Sequence, residues 1–224
     1  MTTMLTVEEQ KKRKSSGQYF TTNRTLKEKV LEFIINNPSQ ILEPSIGQGD
    51  LVTFITEKLP SITFDMYEID PTIPLLEGIS KDSVVYGDFM TQTITKTYTT
   101  IVGNPPYVRT QKGNLYIDFT EKCYHLLDEK GGELIFIVPS DFFKLTGASK
   151  LLKEMMTQGT FSHIFHPHYK KLFENATIDI MVFRYCKNSL ENKSIQKQVL
   201  YNDRPLYITN RSGLITREWK RRRL

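Results

Sequence analysis

Along the chain, short apolar runs alternate with stretches whose apolar residues recur at helical spacing. Leu26, Val30, Leu31, Phe33 and Ile34 form the stripe of an amphipathic helix, and Thr25 followed by Glu28 predicts a capping box at its start. A strand at 40–42 runs into Glu43-Pro44, and beyond a glycine-containing segment a helix is predicted over 51–59, stopped by Pro60. Ile62, Phe64 and Met66 alternate with Thr63, Asp65 and Tyr67 as in a strand over 62–68. Pro71 suits the first turn of a helix reaching about residue 78. Short strands follow at 84–86 and 99–102, then a helix over 115–127 with Leu115, Ile117, Phe119, Cys123, Leu126 and Leu127 on its apolar side. Gly131-Gly132 turns the chain into the run 134–138, apolar throughout, which reads as a strand buried on both faces. A helix over about 148–157 and strands near 161–166 and 177–186 complete the pattern.

Strands alternating with helices at this spacing predict an open, mostly parallel α/β sheet with helices on both faces. One domain over 16–186 is expected, after a polar basic segment at 1–15. The stretch at 187–224 is expected to be a C-terminal extension or the truncated start of a further region, long enough for a hairpin. No internal repeat interrupts this pattern. A chain of 224 residues with this apolar content can bury a core without disulfides or metal. Its two cysteines, Cys123 and Cys186, belong to no Cys/His cluster and are expected to be reduced interior residues of an intracellular, cytoplasmic protein. The four histidines include His166-Pro167-His168, which has no carboxylate or cysteine at useful spacing, so no metal is expected, and His163 reads as a core residue. No apolar run approaches the length of a membrane helix, and the N-terminus lacks a signal-peptide pattern, so no membrane partner is expected.

The net charge of +5 is unevenly placed. Lys11-Lys12-Arg13-Lys14 carries +4 and the last eight residues another +4, leaving the rest of the chain acidic. Such ends fit either contacts to phosphates or solvated tails.

Chemistry enters at the ends of two predicted strands. Glu43-Pro44-Ser45-Ile46-Gly47-Gln48-Gly49-Asp50 lies where the first strand turns into a helix. Glycines there admit close approach of a ligand, and the helix N-terminus offers free N–H groups. Glu68, 21 residues after Gly47 at the end of the second strand, is placed to meet ribose hydroxyls. This combination fits an adenosine-type cofactor and would serve a nicotinamide dinucleotide equally well. Asn104-Pro105-Pro106-Tyr107 follows the strand at 99–102. Consecutive prolines hold the backbone extended and stiff, so the Pro105 carbonyl and the Asn104 side-chain oxygen become two acceptors aimed at one place. A planar NH2 group would satisfy both, and its lone pair would be made more nucleophilic. Tyr107 adds an aromatic face for a base, an interaction worth about 1–3 kcal/mol.

With these motifs in view, residues 16–186 resemble the amino-methyltransferases acting on adenine in DNA, in the group whose cofactor motifs precede the catalytic one. The resemblance implies a Rossmann-like class I fold with a seven-stranded sheet, S-adenosylmethionine as cofactor, and transfer to the N6 nitrogen of a flipped adenine. By that resemblance Gln18, Tyr19 and Thr21 pack around the methionine part, and Glu43, Pro44, Ser45, Gly47 and Gly49 form the glycine-loop motif. Glu68 meets the ribose, Ile69 lies against the adenine ring, Asp88 accepts from the cofactor's adenine amino group, and Phe89 packs on that ring. Asn104, Pro105, Pro106 and Tyr107 are the catalytic motif. Phe173 aligns with a second aromatic that clamps the target base, with His166, His168 and Tyr169 as competitors.

Relatives in that group usually carry a separate target-recognition domain, whereas 38 residues follow Cys186 here. Either the chain is a fragment or a compact form, with 187–224 a truncated start of such a domain, or recognition comes from another subunit. Beside DNA, a separate recognition or endonuclease subunit is then an expected partner. Rival readings are transfer to RNA adenine, transfer to a protein glutamine amide, and a non-catalytic DNA-binding subunit. The segment Gly17 to Thr21 and Phe173 speak against the glutamine reading, and the intact Asn104 and glycine loop against the non-catalytic one.

Overall fold

A computed structural model describes residues 17–111, 113–167, 172–173, 178–187 and 198–207. The basic segments at 1–15 and 217–223, and the competitors His168 and Tyr169, lie outside the described residues. The first helix, α1 (Arg24–Glu32), is followed by β1 (Gln40–Glu43), α2 (Asp50–Lys58), β2 (Thr63–Glu68), β3 (Val84–Tyr86) and β4 (Thr100–Gly103). A two-stranded ribbon, β5 (Arg109–Thr110) with β6 (Gly113–Asn114), leads into α3 (Leu115–His125). Next come β7 (Glu133–Pro139), α4 (Ser149–Gln158), β8 (Gly159–Phe165), β9 (Ile180–Lys187), β10 (Gln198–Tyr201) and β11 (Arg204–Tyr207).

The described strands other than β5 and β6 make one sheet, in the order β11-β10-β8-β9-β7-β4-β1-β2-β3. Strands β3, β2, β1, β4 and β7 are parallel, and β9 runs antiparallel between β7 and β8. Because β1 and β4 are neighbours, the chain winds outward from β1 in one direction and from β4 in the other. The gap between their carboxyl ends is the switch point where open α/β sheets hold ligands.

Burial follows strand alternation. Ile135 and Ile137 of β7 face the layer of α1 and α2, packing with Leu26, Val30 and Ile55. Leu134, Phe136 and Val138 face the α3 and α4 layer with Ile117, Leu152 and Met155. All five β7 side chains are fully buried, and such side chains contribute about 1.5–3 kcal/mol each. The continuous apolar run is thus the central strand of a sheet covered on both faces.

The sheet carries two strands more than the seven expected. Asn202 (φ 47°) and Asp203 (φ 61°) turn β10 into β11, and positive φ at both central positions is what a tight hairpin turn demands. Strand β10 then pairs in parallel with β8, so residues 198–207 extend the same sheet. The turn is also tied down. Asn202 exchanges two bonds with the His166 backbone, at 2.7 and 3.0 Å, and Lys29 reaches Asp203 at 3.2 Å.

Two local expectations are corrected. The helix expected from Pro71 does not form, because Pro74 lacks an N–H and forces Ile73 away from helical angles; turns occupy the segment instead, with Thr72 N–H bound to the Asp70 carboxylate. Helix α1 is capped by Asn23, whose side chain accepts from the Leu26 N–H at 3.2 Å, so the Thr25 capping box gives way to a stronger cap two residues earlier. Among the described residues, no helix is long and apolar enough to cross a membrane.

Candidate active site

Strands β1 and β4 deliver the two motifs to the same place. Glu43-Pro44 ends β1, Gly103-Asn104 ends β4, and the Ser45 hydroxyl donates to the Asn104 carbonyl at 3.4 Å. Between and above them opens a cleft of about 290 Å3. It is lined by Pro44, Ser45 and Gly47 from the glycine loop and by Asn104 and Pro106 from the segment after β4. Glu68, Ile69, Asp88 and Phe89 also line it, as do Gln18 and Tyr19.

Glu68 is held by two backbone donors, Gly47 N–H at 2.8 Å and Asp70 N–H at 3.0 Å. Burial nonetheless raises its pKa, against the lowering effect of those bonds. Gly47 adopts φ 58°, which lets its amide turn back toward that carboxylate. Asp88 caps the short 3-10 turn 89–91 by accepting from Met90 N–H at 2.9 Å, and Phe89 is wedged against Tyr67 and Phe119. Among the described residues Ile69 is the most exposed large apolar side chain, 63% accessible, and it lines the cleft.

Glu43 and Thr21 lie behind the main cleft, in an adjoining compartment of about 30 Å3 shared with Asp50 and Asn104. Glu43 is buried and accepts from Ser45 N–H at 3.4 Å; loss of solvent pushes its carboxyl well above the usual range. Gly49 lines neither space. With φ 94° it is the left-handed residue that starts α2, and an added Cβ would strike Ile79.

The Asn104 side chain is fixed by the N-terminal segment. Its Nδ2 donates to the Tyr19 carbonyl at 2.6 Å and to the Thr21 hydroxyl at 3.1 Å. A carbonyl can only accept, so the NH2 side of the amide must face Tyr19 and the oxygen must face away. That oxygen accepts from the Tyr107 hydroxyl at 2.5 Å, and the same hydroxyl lies 3.1 Å from the Ile137 carbonyl. Burial holds the Tyr107 phenol well above its ordinary pKa, so it stays a donor.

The two proposed clamp rings come together, and the Tyr19 ring completes a triangle with them. Tyr19 stacks on Tyr107 with centroids 5.4 Å apart and planes at 28°, and it also meets Phe173, tilted, at 5.4 Å. Tyr107 and Phe173 themselves are 6.3 Å apart, edge to face. His166, a competitor of Phe173, is instead engaged with Asp179 at 2.6 Å and with the Tyr201 hydroxyl at 3.0 Å.

Several cleft residues have no role of their own in the sequence reading, although Gly17 belongs to the segment Gly17 to Thr21 named in it. Gly17 (φ 64°) passes so close to the loop after β4 that a Cβ would lie 2.6–2.9 Å from Val108 and the Tyr107 backbone, and its carbonyl accepts from Tyr107 N–H at 3.2 Å. Leu115 and Phe119 also face the cleft, although their helical spacing signals only a core-facing stripe. Gly87 lies there too, with φ 143°.

Comparison with known proteins follows the same lines. The chain is 31% identical over 209 residues to the type II methyltransferase M.HincII of Haemophilus influenzae, a match covering 84% of this chain and 40% of that protein. It is 35% identical over 105 residues to ribosomal RNA small subunit methyltransferase A of Mesomycoplasma hyopneumoniae, covering 45% of this chain and 40% of that one. In fold it is similar to a class I S-adenosylmethionine-dependent methyltransferase from Listeria monocytogenes, with a TM-score of 0.62 at 18% identity over 77% of this chain and 61% of the other. The chain therefore spans about 40% of the length of the curated relatives it matches. Residues 18–173, carrying both strand-end motifs and the ring at Phe173, match the Eco57I restriction-modification methylase description, and the chain belongs to that family.

Proposed function

We propose that this chain is the catalytic part of a DNA-modification enzyme that methylates the N6 amino group of adenine, with S-adenosylmethionine as methyl donor. The observation that carries the reading is the Asn104 amide, pinned by Tyr19 and Thr21 so that its oxygen faces the Tyr107 ring beside the cleft. The donor set suits the cofactor: Glu68 offers a carboxylate to vicinal hydroxyls, Asp88 an acceptor to an exocyclic amine, and Phe89 and Ile69 an apolar wall. Buried Glu43 would face the cationic methionine end, where a positive group would favour its ionised form. When bound, the cofactor supplies an electrophilic methyl group on a cationic sulfur.

The chain's own residues orient the acceptor, and orientation is where most of the acceleration arises. Asn104 Oδ1 and the Pro105 carbonyl accept the two amino hydrogens of adenine. The Tyr107 hydroxyl has one hydrogen and two acceptors in reach, so turning it to Ile137 frees Asn104 Oδ1 for the substrate. The target ring takes the place of Tyr19 against Tyr107, with Phe173 at its edge. Stacking there offsets the few kcal/mol that extruding a base from duplex DNA costs. No side chain is assigned as general base; water takes the proton. Cys123 is buried on α3 with a raised thiol pKa, which removes it as a nucleophile.

DNA is favoured over RNA because the restriction-modification family match runs from 18 to 173, whereas likeness to the ribosomal RNA enzyme covers less than half of the chain. A companion target-recognition or endonuclease subunit belongs to the same proposal, supported by that family. The deciding experiment supplies methyl-labelled cofactor with duplex DNA, structured RNA or protein. Label recovered as N6-methyladenine from DNA is the expected result; label in RNA alone or on glutamine overturns the assignment.

Gly17→Ala tests the N-terminal clasp. Placing a Cβ at left-handed φ costs about 1–2 kcal/mol, and here it also collides with the catalytic loop backbone. Methyl transfer should fall at least about tenfold, since small displacements of reacting groups have effects of this order or larger. A variant with wild-type kcat would show that the clasp does not position the loop.

A further inference from the structure

Lys122 lies on α3, one turn beyond the cleft-facing Phe119, and its side chain runs toward the short turn at 89–92. Its ammonium donates to three backbone carbonyls there: Phe89 at 2.5 Å, Gln92 at 2.7 Å and Met90 at 3.2 Å. An ammonium has three hydrogens and no acceptor capacity, so this set uses its full valence. The same nitrogen lies 4.7 Å from the centroid of the Phe89 ring. The turn it grips is only one 3-10 turn long, too short to hold its shape by internal bonds alone. That turn carries Asp88 at its cap and Phe89 at its first position, both facing the cleft.

A lysine used merely for solubility would point its charge into water. Here desolvation lowers the Lys122 pKa, with Cys123 and Asp88 as the groups opposing that shift. Burying a cation against carbonyls is worthwhile only where the geometry of those carbonyls matters. Phe119 backs the Phe89 ring from the same helix, stacked at 5.4 Å, so α3 fixes the turn both by packing and by charge.

We propose that Lys122 is a positioning residue for the cofactor's adenine, clamping the 89–92 turn so that the Asp88 carboxylate and the Phe89 ring meet the exocyclic amine and face of that base. The proposal rests on the reading that Asp88 and Phe89 form the adenine end of the cofactor site. It deepens that reading by naming what holds the two in register, and it assigns α3 a part in base selection in addition to its place in the core.

The test measures binding to the full chain, by calorimetry, of S-adenosylhomocysteine and of its inosine counterpart, in which oxygen replaces the amino group. Lys122→Met keeps the length and apolar stem of the side chain and removes every donor. Affinity for the adenosyl ligand should drop about tenfold, the scale of one misplaced charge-assisted hydrogen bond, while the inosyl ligand changes less than about threefold. At saturating cofactor, kcat should stay within about twofold, because Asn104 is untouched. Equal losses for both ligands, or no loss at all, overturn the proposal. Asp88→Ala separates the two ways of failing. If it leaves the preference for adenosine intact, the adenine subsite is wrongly placed and the role of Lys122 falls with it. If it abolishes the preference while Lys122→Met retains it, the Lys122 role alone is overturned. Should Lys122→Met fail to fold, Lys122→Arg carries the test. A planar fork cannot serve three carbonyls converging on one nitrogen, so a roughly threefold loss of preference is expected, and wild-type preference overturns the proposal.

Discussion

Asn104→Ala should lower kcat for methyl transfer by about 10²- to 10³-fold, the range found when one preorganised polar group is removed from a reacting centre. The size follows from how completely the side chain is committed. The Tyr19 carbonyl and the Thr21 hydroxyl hold its nitrogen, so the amide, with its acceptor oxygen, is oriented before substrate arrives. Alanine removes that acceptor and leaves the glycine loop, Glu68 and Asp88 as they are. Cofactor affinity should therefore stay within about twofold, an effect confined to the transition state. Thr21→Val gives the graded version. The Tyr19 carbonyl still holds one amide hydrogen, so the amide is loosened rather than lost, and a decrease of about tenfold or less is expected. The two measurements are kcat with saturating labelled cofactor and the dissociation constant of the cofactor product. Undiminished transfer in Asn104→Ala would remove the basis for the proposed chemistry.

What could be read from the sequence depended on how local each feature is. The apolar run 134–138 needed only its own residues to announce a central strand, and both faces of β7 are indeed covered. The two motifs at 43–50 and 104–107 were placed at strand ends by their prolines, and sheet order then sets them side by side at the β1–β4 switch point. Features made by distant pairs were not legible. Nothing near residue 200 says that β10 will pair with β8, and the tight turn at Asn202-Asp203 becomes meaningful only once His166 and Lys29 are seen to meet it. The missing helix after Pro71 is a different failure. Pro74 was present in the segment, and its effect on Ile73 outweighs the helix-starting preference of Pro71. Tyr19 was legible as part of a cofactor motif, yet its stacking on Tyr107 depends on the N-terminal segment crossing the catalytic loop. Gly17 permits that crossing, and its place at the head of the segment Gly17 to Thr21 does not by itself say which loop it will cross.

The opposite end of the sheet holds the largest expected effect on stability. Glu133, at the amino end of β7, is fully buried and accepts from Arg184 Nε at 2.7 Å, Thr100 hydroxyl at 2.9 Å, Asn36 N–H at 3.1 Å and Ile35 N–H at 3.2 Å. Arg184, on β9, also reaches the Ser162 hydroxyl at 2.8 Å. One carboxylate thus joins β4, β7, β9 and the end of the α1 segment. Arg184→Leu removes the cation and leaves the carboxylate enclosed, a change that costs about 3–5 kcal/mol. For a domain of this size that corresponds to a fall in Tm of about 10 °C. Glu133→Gln keeps an acceptor for the backbone donors and removes the charge, so its cost should be smaller, about 1–3 kcal/mol. The double variant should then lose less than the sum of the two, because the uncompensated charge that makes Arg184→Leu expensive is gone. Cofactor affinity of the folded fraction should be unaltered in all three, since the network sits at the amino ends of β4 and β7 and the cleft opens at their carboxyl ends. Thermal melts with and without cofactor check each of these, and an Arg184→Leu protein melting within about 2 °C of wild type would mean that Glu133 finds its compensation from the backbone donors alone.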